Sequence, residues 1–175
     1  MFNPINDTLE HIRRTYIPLL GMLVSAYNES RGTKYYVEGA VYDSQYVGCV
    51  DMSEERFEEE LAQLGFERNP LASLKTRAGT SEVEEGSFRW VPHEPTELDT
   101  DYQLHCIIYD GSLVPDADTG VTYVYAHWEK RWDRAPLAHY REVGFAPVKG
   151  RRMMREKLDE AGIAYDKARP PKSDE

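Results

Sequence analysis

The sequence predicts an α+β fold: a mostly antiparallel sheet with helices packed on one face. Hydrophobic periodicity gives the order helix, two strands, helix, four strands, helix. Because few strands alternate one by one with helices, a doubly wound parallel sheet is disfavoured. The 175 residues fit one domain. We therefore expect a ferredoxin-like or related two-layer sandwich, with a single domain at 1–165 and a disordered tail at 166–175.

The first predicted helix covers residues 7–28, and Pro18 should kink it or divide it in two. Its apolar residues at helical spacing are Leu9, Ile12, Tyr16, Leu20 and Leu23. Arg13 and Arg14 precede an apolar run, which also resembles a twin-arginine export signal. Acidic residues before the pair and the amphipathic character of the run favour the helix and a cytoplasmic protein. The run is too short to span a membrane.

The next segments predict strands and then the clearest helix. Residues 35–42 and 46–51 should be two short strands joined by a tight turn, or one long bulged strand. A helix follows at 52–64, with Ser53 as its N-cap and Gly65 as its left-handed C-terminal residue. Its buried face comprises Phe57, Leu61 and Leu64.

The second half of the chain supplies four strands and the last helix. The predicted strands are 71–77, 87–91, 102–109 and 121–128. The predicted loops are 78–85, 92–101 and 110–120. The last helix should span 150–161 and point Met154, Leu158 and Ala161 inward. We place Phe88 and Trp90 on one side of their strand because side chains alternate between the two faces.

Charge and cysteine content limit the function classes. The chain has 31 acidic and 21 basic residues, a formal net charge of −10. This charge disfavours nucleic acid as a partner, since phosphate backbones bind basic surfaces. The two cysteines, Cys49 and Cys106, lie in apolar runs and indicate free buried thiols in a reducing compartment.

Alternation along the two longest strands separates two faces. The apolar face comprises Tyr102, Leu104, Cys106 and Ile108, with Thr122, Val124, Ala126 and Trp128. The opposite face comprises Gln103, His105, Ile107 and Tyr109, with Val121, Tyr123, Tyr125 and His127. We call the second set the His/Tyr face. A symmetric hairpin about residue 115 would place His105 and His127 as diagonal neighbours.

The His/Tyr face has three possible uses. It is favoured as a self-association surface of a homodimer, because tyrosine is common at interfaces. It could instead form the floor of a ligand pocket, or be a second core covered by the first helix. We therefore predict a non-catalytic binding protein that self-associates through this face.

An enzyme is the first alternative to this prediction. Glu129 follows His127 by two residues in a strand and shares its face, and His105 lies across the hairpin. Two histidines and one carboxylate are the ligand set of many metal sites, so a metal-assisted hydrolase could use these three residues. The competing interpretation is three ordinary polar residues on an open sheet face. No motif specifies a cofactor, and none is predicted.

A phosphate or nucleotide module is the second alternative. Arginines interleaved with aromatic residues can bind phosphate and stack bases. The candidate residues are Trp128, Arg131, Trp132, Arg134, His139 and Tyr140, with Arg141, Arg151 and Arg152 nearby. Local ion pairing would explain the same arginines. The standard nucleotide loops are absent, and no nucleophile constellation is apparent.

Four segments resemble a family of small, uncharacterised haloarchaeal proteins. They are residues 65–75 (GFERNPLASLK), 86–90 (GSFRW), 103–105 (QLH) and 123–129 (YVYAHWE). The resemblance covers about residues 40–165 and agrees with a chain that has 14 Arg but only 7 Lys. It implies a high-salt cytoplasm and carries no activity.

Overall fold

The structure, a computed structural model, describes residues 4–33, 39–69, 74–77, 84, 86–92, 101–111, 120–141 and 144–168. The helices are α1 (Pro4–Arg31), α2 (Glu54–Gln63), α3 (Pro136–His139) and α4 (Pro147–Glu160). The strands are β1 (Gly39–Val41), β2 (Tyr46–Val50), β3 (Glu67–Arg68), β4 (Lys75–Arg77), β5 (Gly86–Trp90), β6 (Tyr102–Asp110), β7 (Thr122–Lys130) and β8 (Tyr165–Asp166).

Within the described residues, the main sheet has six strands in the order β3-β5-β6-β7-β2-β8, and all neighbouring pairs are antiparallel. Strands β1 and β4 form a separate parallel pair. The predicted α+β class with a mostly antiparallel sheet is confirmed. The strand order differs from the interleaved ferredoxin-like order, because β5, β6 and β7 follow one another as a meander.

The main core lies between one face of this sheet and helices α2 and α4. The predicted apolar face of β6 and β7 contributes alternating residues to this core: Leu104, Cys106 and Ile108 of β6, and Val124, Ala126 and Trp128 of β7. Phe57 and Leu61 of α2 pack there, as do Met154 and Leu158 of α4. The two predicted helix faces therefore bury the side chains expected of them. Ala161 is the exception: it is exposed, because α4 ends at Glu160.

A second, smaller core covers the opposite face of the sheet. It comprises Val41, Tyr46, Ile107, Tyr109, Tyr123 and Tyr125. Val41 belongs to β1, and the Tyr109 hydroxyl donates a hydrogen bond to the carbonyl oxygen of Lys75 in β4. The small parallel sheet therefore lies over the tyrosine part of the His/Tyr face. Among the described residues, neither core includes a side chain of α1, so the alternative in which the first helix covers this face is not what is found.

The N-terminal helix is longer than predicted and continues through Pro18 without being divided. The two strands predicted after it do form, but they join different sheets. A short 3-10 turn at Asp43–Gln45 separates β1 from β2, and residues 34–38 lie outside the described residues. Among the described residues, no helix has the length and apolar character needed to cross a bilayer.

The positions of the residues that bound α2 agree with the sequence prediction, but the expected capping hydrogen bond is not formed. Ser53 occupies the N-cap of α2 as predicted, but its side chain makes no capping hydrogen bond. Gly65 follows the helix with a φ of 82°, the left-handed geometry expected of a terminating glycine. Gly162 has the same role after α4, with a φ of 69°. The start of α4 at Pro147 is earlier than predicted because proline suits the first helical turn.

Several predicted boundaries change. The short elements β3 and α3 are too brief for any periodicity to predict. The predicted tail begins at Asp166, yet that residue pairs with Cys49 in the edge strand β8. The predicted strand 71–77 is described only at its end. The rest of it, most of the three predicted loops and residues 169–175 lie outside the described residues.

Candidate metal centre

The candidate site lies on the His/Tyr face, at the centre of the main sheet. His105 and His127 are directly opposite each other in the β6–β7 ladder, and Gln103 is opposite Glu129. The diagonal arrangement predicted from a symmetric hairpin is therefore wrong, because His105 pairs with a residue two positions further along β7 than that hairpin would give. A two-residue shift preserves the face of every side chain, so the predicted grouping of these residues holds.

Ligand-type atoms of three side chains converge here. His105 Nδ1 lies 3.2 Å from His127 Nε2 and 2.9 Å from Glu129 Oε1. His127 Nε2 lies 3.0 Å from Glu129 Oε2. All three side chains are buried, with at most 5% of each exposed. Within the described part of the chain, these three residues bring ligand-type atoms within 4.8 Å of one another.

The outer atoms of the same side chains are also held. His105 Nε2 lies 2.6 Å from Ser87 Oγ, and His127 Nδ1 lies 2.9 Å from Gln45 Oε1. The Gln103 amide nitrogen donates to Glu129 Oε1 at 2.9 Å. Hydrogen bonds to the far side of a ring fix both its orientation and its tautomer.

The Gln45 contact determines where the lone pair of His127 points. An amide carbonyl oxygen only accepts hydrogen bonds, so His127 Nδ1 carries the proton and donates to Gln45. In the neutral ring, Nε2 then presents a lone pair to Glu129 Oε2. His105 Nδ1 can supply one proton, which can bridge to Glu129 Oε1 or His127 Nε2. With Nδ1 protonated, His127 Nε2 can donate to Glu129 Oε2 only when the ring is the charged imidazolium.

Burial determines the charge state of this group. Desolvation lowers the pKa of His105 to about 4, against the opposing pull of Glu129. It lowers the pKa of His127 in the same way. Burial would raise the pKa of Glu129, but the two neighbouring imidazoles hold it well below its usual range. Near neutral pH the three residues therefore carry one negative charge and neutral rings.

His139 lies beside the three residues without completing the set. Its Nδ1 donates to the carbonyl oxygen of Lys130 at 2.7 Å, and the same atom is 3.6 Å from Glu129 Oε2. A nitrogen that carries a proton cannot bind a metal through that position. Tyr140 packs edge-on against the His139 ring. Phe145 packs against His127, with ring centroids 4.6 Å apart.

The tyrosines predicted at an interface are buried within the chain. Tyr109 and Tyr125 are each 2% exposed and Tyr123 is 8% exposed, since all three belong to the second core. Trp128 lies in the main core on the other side of the sheet. The prediction that the His/Tyr face is a free self-association surface does not fit these positions. Oligomeric state itself stays a prediction.

The predicted Trp/Arg run does not form one site. Arg131 pairs with Asp133 at 2.6 Å, the local ion pairing that competes with phosphate binding. Arg134 is exposed, while Trp132 packs under the guanidinium of Arg89. Arg151 and Arg152 instead line a surface groove of about 320 Å³ with Arg155, Glu156 and Asp159.

Two of the residues that hold the site were missed from the sequence. Ser87 shares a face with Arg89 because Phe88 and Trp90 occupy the other, so strand alternation could have found it. Ser87 also places a hydroxyl next to His105, an arrangement of a possible nucleophile that the sequence analysis did not identify. Gln45 comes from the turn before β2, where no periodicity marks a residue.

No family model, curated protein or solved structure that was compared with the chain matches it.

Proposed function

We propose that this protein binds a divalent transition-metal ion, zinc in the first place, through His105, His127 and Glu129, and that it is a metal-assisted hydrolase. The observation that carries the proposal is the convergence of His105 Nδ1, His127 Nε2 and the Glu129 carboxylate in one buried cluster. A cation at their centre would compensate the charge of the buried carboxylate.

The spacing of the ligand atoms supports zinc. Zinc bonds of about 2.0–2.1 Å in a tetrahedron set neighbouring ligand atoms about 3.3 Å apart. The two ring nitrogens are 3.2 Å apart. His105 Nδ1 lies 2.9 Å from Glu129 Oε1 and His127 Nε2 lies 3.0 Å from the other oxygen, Oε2, so small movements of the side chains would bring both nitrogens and the carboxylate around one ion. The charge of the set also fits: one carboxylate and two neutral rings suit a divalent ion better than three anions would.

The number of ligands supports a catalytic site over a structural one. Structural zinc sites usually close with four protein ligands, whereas catalytic sites use three and keep one position for water. His139 Nδ1 is occupied by the Lys130 carbonyl, which leaves three ligands among the described residues. When bound, such an ion lowers the pKa of a coordinated water and polarises a substrate oxygen.

The chain's own residues would hold and orient this centre. Ser87 accepts a hydrogen bond from His105 Nε2 when Nδ1 faces the metal, and Gln45 accepts one from His127. Gln103 donates to the Glu129 oxygen that faces His105, fixing the carboxylate plane. The Gln45 contact leaves His127 Nε2 free of a proton in the neutral ring, and the Ser87 hydroxyl, which can donate or accept, permits the tautomer of His105 in which Nδ1 is free.

Metal binding is tested by titration of protein first stripped with a chelator. We expect one zinc ion per chain by calorimetry. At about a hundred times the dissociation constant, zinc should add about 2.7 kcal/mol to the free energy of unfolding, a Tm rise of several degrees. Activity is tested with a panel of activated carboxylic and phosphoric esters, with EDTA removal and zinc return.

Matched glutamine variants show whether zinc binds through the proposed ligands. His127→Gln and Glu129→Gln should each abolish zinc binding, while His139→Gln, a neighbouring non-ligand, should retain it. If the folded wild-type protein binds none of zinc, manganese, iron, cobalt or nickel, the metal proposal is wrong. If metal binds but no ester is hydrolysed faster than by His127→Gln, the hydrolase part is wrong.

A second function is favoured by one contact. Ser87 Oγ, His105 Nε2, His105 Nδ1 and Glu129 Oε1 form a hydrogen-bonded chain with steps of 2.6 and 2.9 Å. The same order of hydroxyl, imidazole and carboxylate serves serine hydrolases. Ser87 Oγ would attack an acyl carbon and pass its proton to His105, which returns it to the leaving group; water then releases the acyl group.

The two functions require opposite tautomers of His105. A metal needs Nδ1 without its proton, whereas the serine relay needs Nδ1–H to donate to Glu129. Nitrogen-15 chemical shifts of the ring distinguish them directly. Ser87→Ala should abolish ester hydrolysis under the relay and leave zinc binding measurable under the metal proposal.

A further inference from the structure

Helix α1 presents a row of large apolar side chains to solvent. Leu19 is 57% exposed, Met22 71% and Leu23 69%, and neither core includes a described side chain of this helix. The exposed apolar residues are Ile12, Tyr16, Leu19, Leu20, Met22, Leu23 and Tyr27. A row of this extent on a long helix is an interaction surface and not scattered surface leucines.

The spacing of this row specifies the kind of partner. Ile12, Tyr16, Leu19, Leu23 and Ala26 follow one another at steps of four, three, four and three. In the sequence, the same steps extend back to Leu9 and Ile5. This is the a/d pattern of a coiled coil, in which a seam of period 3.5 packs against another helix with the same period. Pro18 lies outside the seam, one residue before Leu19.

We infer that α1 pairs with α1 of a second copy of this chain, making the protein a homodimer through its N-terminal helix. The area fits. From their exposed fractions, the seven apolar residues expose roughly 800 Å², about what each partner contributes to a standard stable interface.

The charge of the helix also fits a second copy. Its acidic residues are Asp7, Glu10 and Glu29, and its basic residues are Arg13, Arg14 and Arg31. Two copies therefore meet without net repulsion. A helix that lies on a membrane surface is instead rich in Lys and Arg on its polar face, and this chain carries −10 overall.

The test compares two single substitutions on α1 of the full chain. Leu23→Glu places a charge in the seam; Ser25→Glu places the same charge at an exposed position about 200° around the helix. Glutamate is a good helix former, and Leu23 is outside both cores, so both variants should fold with unchanged far-UV circular dichroism. Sedimentation velocity and light scattering then give the mass.

We expect the wild-type protein and Ser25→Glu to have twice the chain mass at micromolar concentration, also in molar salt. Leu23→Glu should weaken the dimer at least about a hundredfold, because each copy loses a buried leucine and gains a desolvated charge. A wild-type monomer at 100 μM would overturn the inference, and so would a dimer that Leu23→Glu leaves intact. Monomers that bind lipid vesicles would identify a membrane surface as the occupant instead.

Discussion

Gln45 determines the tautomer of His127, although it lies far from that residue in the sequence. Its carbonyl oxygen accepts the Nδ1 proton at 2.9 Å. We predict that Gln45→Ala lowers zinc affinity about 10–100-fold, since contacts behind a ligand typically contribute that much. Ser44→Ala, at the exposed residue before it, is the matched control and should bind zinc normally. Equal affinities for the two variants in a calorimetric titration would show that this contact does not orient the ring.

The buried histidines should make the free energy of unfolding depend on pH in the absence of metal. Burial lowers the pKa of His105 to about 4 from 6.5, so the unfolded chain takes up a proton between those values that the folded chain excludes. Stability should therefore fall as pH falls across that window, by roughly 3 kcal/mol. The lowered pKa of Glu129 acts in the same direction at lower pH.

Urea unfolding with EDTA at pH 7, 5.5 and 4 measures this dependence. His105→Gln removes one of the two buried rings and should reduce the slope between pH 6.5 and 4, with His127 contributing the remainder. A slope unchanged by the substitution would mean that other groups cause the acid loss.

At the scale of an element, α4 is fixed against the site by Gly150. A Cβ at this position would stand 2.2 Å from His127 Cα and 2.3 Å from its carbonyl carbon. The helix thus approaches the backbone of β7 directly behind a candidate metal ligand. No side chain can move aside there, because the obstructing atoms are backbone.

We predict that Gly150→Ala destabilises the protein by at least about 1–3 kcal/mol, the usual cost of overpacking, and weakens zinc binding by displacing His127. Val148→Ala, at a residue 67% exposed on the same helix, should change neither property. Thermal unfolding and zinc titration measure both effects. A Gly150→Ala protein with wild-type Tm would show that α4 can move away from β7 at little cost.

At the scale of the whole molecule, charge sets the response to salt. The chain has 31 acidic and 21 basic residues, and the excess negative charge of −10 repels itself in the compact state. Salt at 1 M shortens the Debye length to about 3 Å and screens this repulsion. We predict that Tm rises between 0.1 and 3 M KCl. A Tm that falls over this range would argue against the high-salt environment that the sequence resemblance implies.

Local covalent geometry made part of this structure predictable. Side chains alternate along a strand with period 2 and recur along a helix with period 3.6, whatever the rest of the chain does. The two faces of β6 and β7, the buried sides of α2 and α4 and the common face of His105, His127 and Glu129 all follow from those periods. The free thiols Cys49 and Cys106 are likewise present, with Cys106 buried and Cys49 half-buried.

Contacts between residues distant in the chain depended on tertiary packing. Register shifts by two residues keep every face, so periodicity could not choose between diagonal and direct pairing of His105 and His127. Gln45 and Ser87 reach the site only because β2 and β5 pack beside the hairpin. Periodicity also could not show that the His/Tyr face is buried, since its tyrosine part packs against Val41 of the small parallel sheet. Such choices depend on the free energy of packing non-local segments together, which no local period encodes.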